Sequence, residues 1–260
     1  MILRRLGNKS QIAMKIQQHF PQHKIYIEPF FGAGGMFFNK PKVQYNIVND
    51  LDSDVFNLFQ IVSNDYKELE HLLKLMPIHT DLLEYWKGNT EIEPVKKALR
   101  FLFLSNLTWM NTIVFGASRC NGNQLLTLHE LLGPTQKYIF GVQFMNKDFR
   151  VFLNAISLDD RGDKGETGKA FIYCDPPYLN TSDNYSHSFK EQDASDLFDC
   201  LIETGCKFAY SEFDHPFILE QAEKRGLNVI TIGERQNLKN RRIEILVTNY
   251  KKPLSLFDGV

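Results

Sequence analysis

The sequence predicts an α/β fold, a largely parallel sheet with helices on both faces, carrying one mainly helical insertion. Three observations lead there. Short apolar runs bounded by turn residues alternate with helix-period segments near both ends of the chain. A strand, glycine turn, helix, strand unit near the start closes on an acidic residue, the pattern of sheets that bind ligands at their carboxyl edge. Between residues 55 and 136 the pattern turns helical and then loop-rich. The 260 residues suit one large domain made of residues 1–54 and 137–260, with 55–136 inserted into it.

Each element has its own signal. Lys9 to Phe20 carries Ile12, Ile16 and Phe20 on one face and reads as an amphipathic helix. KIYIEPF is a short buried strand, FGAGG a turn, and a helix is expected through Met36 to Phe38. Tyr45 to Val48 is the second strand, ending at Asn49 and Asp50. Helical period returns over Val55–Val62, Tyr66–Met76 and Val95–Leu107. The stretch from Thr108 to Thr127 has the Asn and Gly punctuation of loops or a small hairpin. YIFGVQFM from Tyr138 reads as a strand, followed by Asp148 as a helix cap before FRVFLNAI. DDRGDKGETGK is a polar loop, and AFIYC is a fully apolar strand that runs into Asp175. KFAYS, LNVITI and IEILVTNY supply further strands, with helices around Asp193–Thr204 and His215–Arg225.

Composition narrows the function classes. Hydrophobic residues make up 43% and charged residues 23%, the balance of a globular protein. No apolar run is long enough to span a bilayer. The opening MILRRLGNKS reaches Arg4 and Arg5 too early for a secretory signal. A cytoplasmic location is expected, with no membrane partner. Cys120, Cys174, Cys200 and Cys206 form no CxxC pair, and no zinc spacing is present, so reduced thiols and no metal are expected. The formal net charge of -1 leaves local basic patches as the route to a polyanion. Candidates are Arg4, Arg5 and Lys9; Lys96, Lys97 and Arg100; and Lys239, Arg241 and Arg242.

Two motifs carry chemistry. In IEPFFGAGG, Gly32 and Gly34 let the backbone pass close to a ligand. Asp50, at the end of the next strand, is placed to accept the ribose hydroxyls of an adenosine. On this element alone, a nicotinamide cofactor and another adenosine-bearing cofactor are evenly matched. The second motif is DPPY after AFIYC. Two prolines cannot continue a sheet, because they lack N–H donors and fix φ. They make a rigid exit that aims the Asp175 carboxylate and the Pro176 carbonyl outward as two acceptors. An exocyclic amino group has two N–H donors to meet them. Pro177 completes the exit, and Tyr178 offers an aromatic face for the same base.

Together these motifs resemble the Dam-type, class alpha, amino-methyltransferases that modify N6 of adenine in DNA. The resemblance covers most of the chain. Gly7 and Lys9 in RRLGNKS are similar to the family's GGK segment, IEPFFGAGG to its S-adenosylmethionine loop, IVNDLDSD to its ribose-binding segment and IYCDPPY to its catalytic tetrapeptide. RRIEILVTNY is similar to its final strand. The resemblance implies a Rossmann-like methyltransferase domain with a mixed sheet, and assigns 55–136 to target recognition. It implies S-adenosylmethionine as cofactor, held by Gly7, Lys9, Glu28, Pro29, Phe30, Gly32, Ala33, Gly34, Asp50, Asp148, Phe149 and Asp175. It implies catalysis by Asp175, Pro176, Pro177 and Tyr178 on an adenine flipped out of double-stranded DNA. Where GATC-reading members carry an FN-x-P-x-G pattern, this chain has FGASRCNGNQ, so the resemblance does not extend to GATC.

Arg119, Asn121 and Asn123 suit base edges, and Asn184, Tyr185 and Phe189 suit a loop closing over the base. The tail segment Leu254-Ser255-Leu256-Phe257 resembles the short motif that docks bacterial proteins on the replicative sliding clamp. A monomer is expected, since one flipped base needs one site. Rival readings are a cytosine-N4 or RNA amino-methyltransferase, which offers an amino group to the same acceptors, and a non-catalytic DNA-binding partner that keeps the fold. A protein-glutamine methyltransferase usually carries NPPY, and a nicotinamide oxidoreductase leaves DPPY unexplained.

Overall fold

The computed structural model describes residues 1–5, 8–108, 121–156, 167–179, 189–236 and 241–251. In chain order the elements begin with α1 (Ala13–Gln17), β1 (Ile25–Glu28), a 3-10 turn (Phe37–Asn39) and β2 (Tyr45–Asn49). A helical run follows: α2 (Ser53–Asn64), α3 (Tyr66–Leu75), α4 (Thr80–Gly88), α5 (Pro94–Asn106) and α6 (Asn121–Ile139). Then come β3 (Gln143–Met145), α7 (Phe149–Asn154), β4 (Ala170–Cys174), α8 (Glu191–Glu203), β5 (Lys207–Phe213), α9 (Pro216–Lys224), β6 (Asn228–Gln236) and β7 (Arg241–Thr248).

These elements fall into two compact units. The first comprises Met1–Asn8, Gly32–Gly34 and Asp52–Asn146. Its helices α2, α4 and α5 start at side-chain caps. Asp52 Oδ1 accepts from Asp54 N at 2.9 Å, while Oδ2 takes Arg5 at 2.6 Å. Glu93 accepts from Val95 N and Lys96 N, and Pro94 pre-sets the first turn of α5. The helical stripes meet in a shared core of Leu58, Phe59, Val62, Leu69, Leu102 and Phe103. Trp86 stands edge-on to Phe103 at 5.0 Å, and its indole N–H donates to Glu91.

The second unit comprises Lys9–Phe31, Gly35–Leu51 and Lys147–Val260. Its strands lie in the order β2-β1-β4-β5-β7-β6. β2, β1, β4 and β5 are parallel, and β7 runs antiparallel between β5 and β6. This mixed sheet is the Rossmann-like arrangement that the motifs imply. All residues of β1 and β4 are buried, as expected for central parallel strands, which bury both faces. Tyr26, Phe171, Tyr173, Phe208 and Tyr210 fill the core around them. Each such side chain contributes about 1.5–3 kcal/mol of burial.

Some elements differ from expectation. The helix expected over Lys9–Phe20 is confined to Ala13–Gln17, because Lys9 is drawn into an ion pair and Phe20 packs on Phe171 at 4.5 Å. The helix at Met36–Phe38 is a single 3-10 turn that stops at Lys40, the residue before Pro41, where helical backbone is disfavoured. The strand expected from Tyr138 starts only at Gln143, since α6 runs through Gly133 and Pro134 to Ile139. Buried Leu128, Leu132 and Ile139 hold that helix together across its breakers. α6 begins at Asn121, inside the stretch read as loop or hairpin. α4 had no counterpart in the sequence reading.

Candidate active site

The parallel strands open their carboxyl ends at one edge of the second unit. Glu28 ends β1, Asn49 ends β2 with Asp50 next, Cys174 ends β4 with Asp175 next, and Glu212 and Phe213 end β5. β7 enters from the opposite direction and sets Glu244 opposite Phe213. The edge therefore gathers carboxyl groups, and buried lysines face some of them.

The exit from β4 is held at several points. Lys9 is 3% exposed, and its ammonium lies 2.7 Å from Asp175 Oδ1 and 3.5 Å from Glu244 Oε1. The same ammonium sits 4.2 Å from the centroid of the Tyr178 ring. Tyr178 is itself buried, edge-on to Phe213 at 4.6 Å, and its hydroxyl donates to Glu244 Oε1. Ser211 Oγ donates to that oxygen at 2.8 Å. Burial first, then Asp175 and Glu244, holds the Tyr178 hydroxyl well above the usual phenol range, so it stays a donor. From the next residue, Leu179 N–H donates to Glu212 Oε2 at 3.3 Å, and Phe213 N–H donates to Glu212 Oε1 at 2.8 Å. Burial pushes Glu212 up to about 8, against the pull of these two N–H bonds.

A second group of residues lies at the ends of β1 and β2 and the entry of α7. Asn49 Nδ2 donates to the carbonyls of Pro29 at 3.0 Å and Lys147 at 2.9 Å. Its Oδ1 accepts from Lys147 N at 3.0 Å, and its backbone carbonyl accepts from Phe31 N at 2.9 Å. One side chain thus laces the loop after β1 to the entry of α7. Phe30 and Phe149 face each other at 5.5 Å, and Phe189 closes on both at 6.1 and 6.0 Å. Asp148 caps α7 by accepting from Arg150 N at 2.9 Å. Glu28 is buried and accepts from Tyr26 at 2.8 Å. Burial holds its carboxyl well above the usual range, although the Tyr26 hydroxyl pulls the other way. Lys40, buried beside it, is brought down to about 8 by desolvation.

Gly32, Ala33 and Gly34 form the turn after β1. Gly32 has φ 54° and Gly34 φ 73°, so both occupy backbone space that side chains avoid. A Cβ on Gly32 would meet nothing within 4 Å. The need for glycine there is therefore conformational.

The match to a family model decides the identity. It spans residues 6–243 and is described as D12 class N6 adenine-specific DNA methyltransferase. The chain belongs to that family. It is 24% identical to the DNA adenine methylase of Escherichia coli K12, over 94% of this chain and 93% of the relative. It is equally identical, over the same shares, to the type II methyltransferase M1.LlaDCHI of Lactococcus lactis subsp. cremoris. The DNA adenine methylase of Serratia marcescens is 28% identical over 68% of this chain and 66% of its own. This D12-class enzyme transfers methyl from S-adenosylmethionine to adenine N6 in DNA.

The residues read from the sequence are distributed as follows in the D12-class chain. Lys9, Glu28, Pro29, Phe30, Asp50, Asp148, Phe149, Asp175, Pro176, Pro177 and Tyr178 all belong to the second unit. Asn123 is exposed in the first turn of α6. Gly7, Arg119, Asn184, Tyr185 and Leu254, Ser255, Leu256 and Phe257 lie outside the described residues, as does the side chain of Asn121. Among the described residues, no group of three or more His, Cys, Asp or Glu side chains is arranged to hold a metal, and no helix is long and apolar enough to cross a membrane. Sequence reasoning missed Asn49, Ser211, Glu212 and Glu244. A buried polar residue inside an apolar strand, as in YSEF and RIEIL, was the available signal.

Proposed function

We propose that the chain methylates adenine N6 within double-stranded DNA after the target base has turned out of the stack, with Asp175 and Pro176 receiving its amino group. The observation that carries this reading is the Asp175 carboxylate at the rigid end of β4, with Lys9 2.7 Å away on Oδ1. The ammonium holds the carboxylate in one orientation. The adenine amino lone pair is delocalised into the ring. Donating both N–H groups to the Asp175 carboxylate and the Pro176 carbonyl draws the nitrogen towards tetrahedral geometry and frees that pair. The nitrogen would then take the methyl as the methyl's bond to sulfur breaks and a neutral thioether leaves, and the surplus proton on nitrogen would pass to solvent. Rate comes from positioning and a preorganised electrostatic site. Flipping costs a few kcal/mol, and aromatic stacking returns about 1–3 kcal/mol per base; Tyr178 is the ring for that contact.

Bound S-adenosylmethionine supplies an electrophilic methyl on a cationic sulfur. The residues present suit it. Asp50 would accept its ribose hydroxyls, and Phe30 and Phe149, 5.5 Å apart, would pack against its adenine. Residues 55–136 read the DNA sequence, with Arg119, Asn121 and Asn123 at base edges. The chain acts as a monomer.

Asp175→Ala is expected to abolish transfer to unmethylated duplex DNA while S-adenosylmethionine binding is retained, read by labelled-methyl incorporation and calorimetry. Near-normal turnover in that variant sinks the assignment. Asp50→Ala is expected to weaken cofactor binding at least tenfold; an unchanged Kd removes Asp50 from the ribose.

A further inference from the structure

Glu244 appears in neither the motif reading nor the reaction scheme above, yet several groups of the β4 exit converge on it. It is 1% exposed, on the antiparallel strand beside β5. Its Oε1 accepts from the Tyr178 hydroxyl and from Ser211 Oγ, and lies 3.5 Å from the Lys9 ammonium. Lys9 in turn holds Asp175 Oδ1. A buried oxygen with two hydroxyl donors and a cation is costly to desolvate and is worth keeping only where its geometry matters.

We propose that Glu244 is a positioning residue for methyl transfer, its Oε1 tying the Tyr178 hydroxyl and the Lys9 ammonium to one point and so fixing both the ring and the acceptor carboxylate that meet the target base. The inference rests on the assignment of Asp175 and Tyr178 to the base. The physical content is rotational. The Asp175 carboxylate and the Tyr178 ring each depend on a χ1 setting, on either side of the two prolines. Glu244 couples the two, because the Lys9 ammonium it shares also touches the Tyr178 ring. Ser211 fixes Glu244 from its own strand.

The test uses the full chain and unmethylated duplex plasmid DNA. Single-turnover transfer is measured for wild type, Glu244→Leu, Tyr178→Phe, the double variant and Asp175→Asn, with active concentration set by S-adenosylmethionine binding. Both single variants at the anchor are expected to keep the cofactor Kd within about twofold. Glu244→Leu is expected to slow transfer on the order of 100-fold, the penalty of a misplacement near 1 Å. Tyr178→Phe, which keeps the ring and cuts the anchored bond, is expected to lose about tenfold. The double variant is expected to be no slower than Glu244→Leu, because the two changes break one linkage. A role confined to stability would lower Tm and leave the rate per cofactor-binding molecule unchanged. Wild-type transfer by Glu244→Leu, or losses that multiply in the double variant, overturns the proposal. If Glu244→Leu does not fold, Glu244→Gln replaces it with the same expected direction, and Tyr178→Phe at the wild-type rate is then the overturning result. Wild-type transfer by Asp175→Asn overturns instead the reading on which the inference rests.

Discussion

Glu212 shows what one buried side chain does to the whole pH response. Its carboxyl moves from 4.5 in the ordinary state to about 8 in the fold. Between those values the folded chain holds a proton that the unfolded chain has released. Stability from this group is therefore complete below about pH 4.5 and is lost as pH rises towards 8. Glu28 is shifted in the same direction. Wild type is expected to melt several degrees lower at pH 9 than at pH 6, and Glu212→Gln to flatten that difference; the contribution over this window is at most about 2–3 kcal/mol. Equal pH dependence in both proteins would remove Glu212 as the source. The sequence pointed to Asp175, Asp50 and the glycines because their neighbours (prolines, an apolar strand, a turn) restrict what they can do. It marked Glu212 and Glu244 only as polar residues inside apolar strands, because their partners sit 33 and 66 residues away and no local pattern names the partner of a tertiary hydrogen bond.

At the scale of elements, the most economical device is the end of β2. Asn49 serves the loop after β1 and the entry to α7 through three side-chain hydrogen bonds. Asn49→Ala leaves the Pro29 and Lys147 groups to find other partners. Each buried group left unsatisfied costs about 1–3 kcal/mol. The variant is expected to lower Tm by several degrees and to weaken S-adenosylmethionine binding at least tenfold; a lower Tm with an unchanged Kd would limit Asn49 to a folding role. The core strands were legible because AFIYC and IYI have no polar face to expose, which is the mark of a central parallel strand. α6 was not, because Asn121, Gly122, Gly133 and Pro134 are poor helix residues, and only packing of Leu128 and Leu132 overrides them. α1 was overread for the opposite reason: its period continues past the point where Lys9 leaves for Asp175.

Across the whole molecule, a formal charge of -1 gives DNA little reason to bind by bulk attraction. Several basic residues that looked available are already engaged. Arg5 pairs with Asp52, Lys9 with Asp175 and Lys97 with Asp54, while Arg100 donates to the Trp86 carbonyl. In the proposed reading, specific contacts from residues 55–136 supply the sequence preference. Chimeras that carry the corresponding segment of a GATC-reading member are expected to methylate GATC at a rate within about tenfold of the parent, read by sequencing the modified positions. A chimera that binds cofactor yet keeps the parental site would remove the recognition role from that segment. The strand that presents Asp175 also contains its own reporter. Cys174 is a free thiol with no exposed surface, and burial, then Glu28 and Asp175, pushes it well above the usual thiol range. An alkylating reagent cannot reach it while β4 stays paired, so its labelling rate is a clock for how often β4 opens. Slower labelling in the presence of S-adenosylmethionine would measure, in the same units, how far the cofactor quiets that breathing.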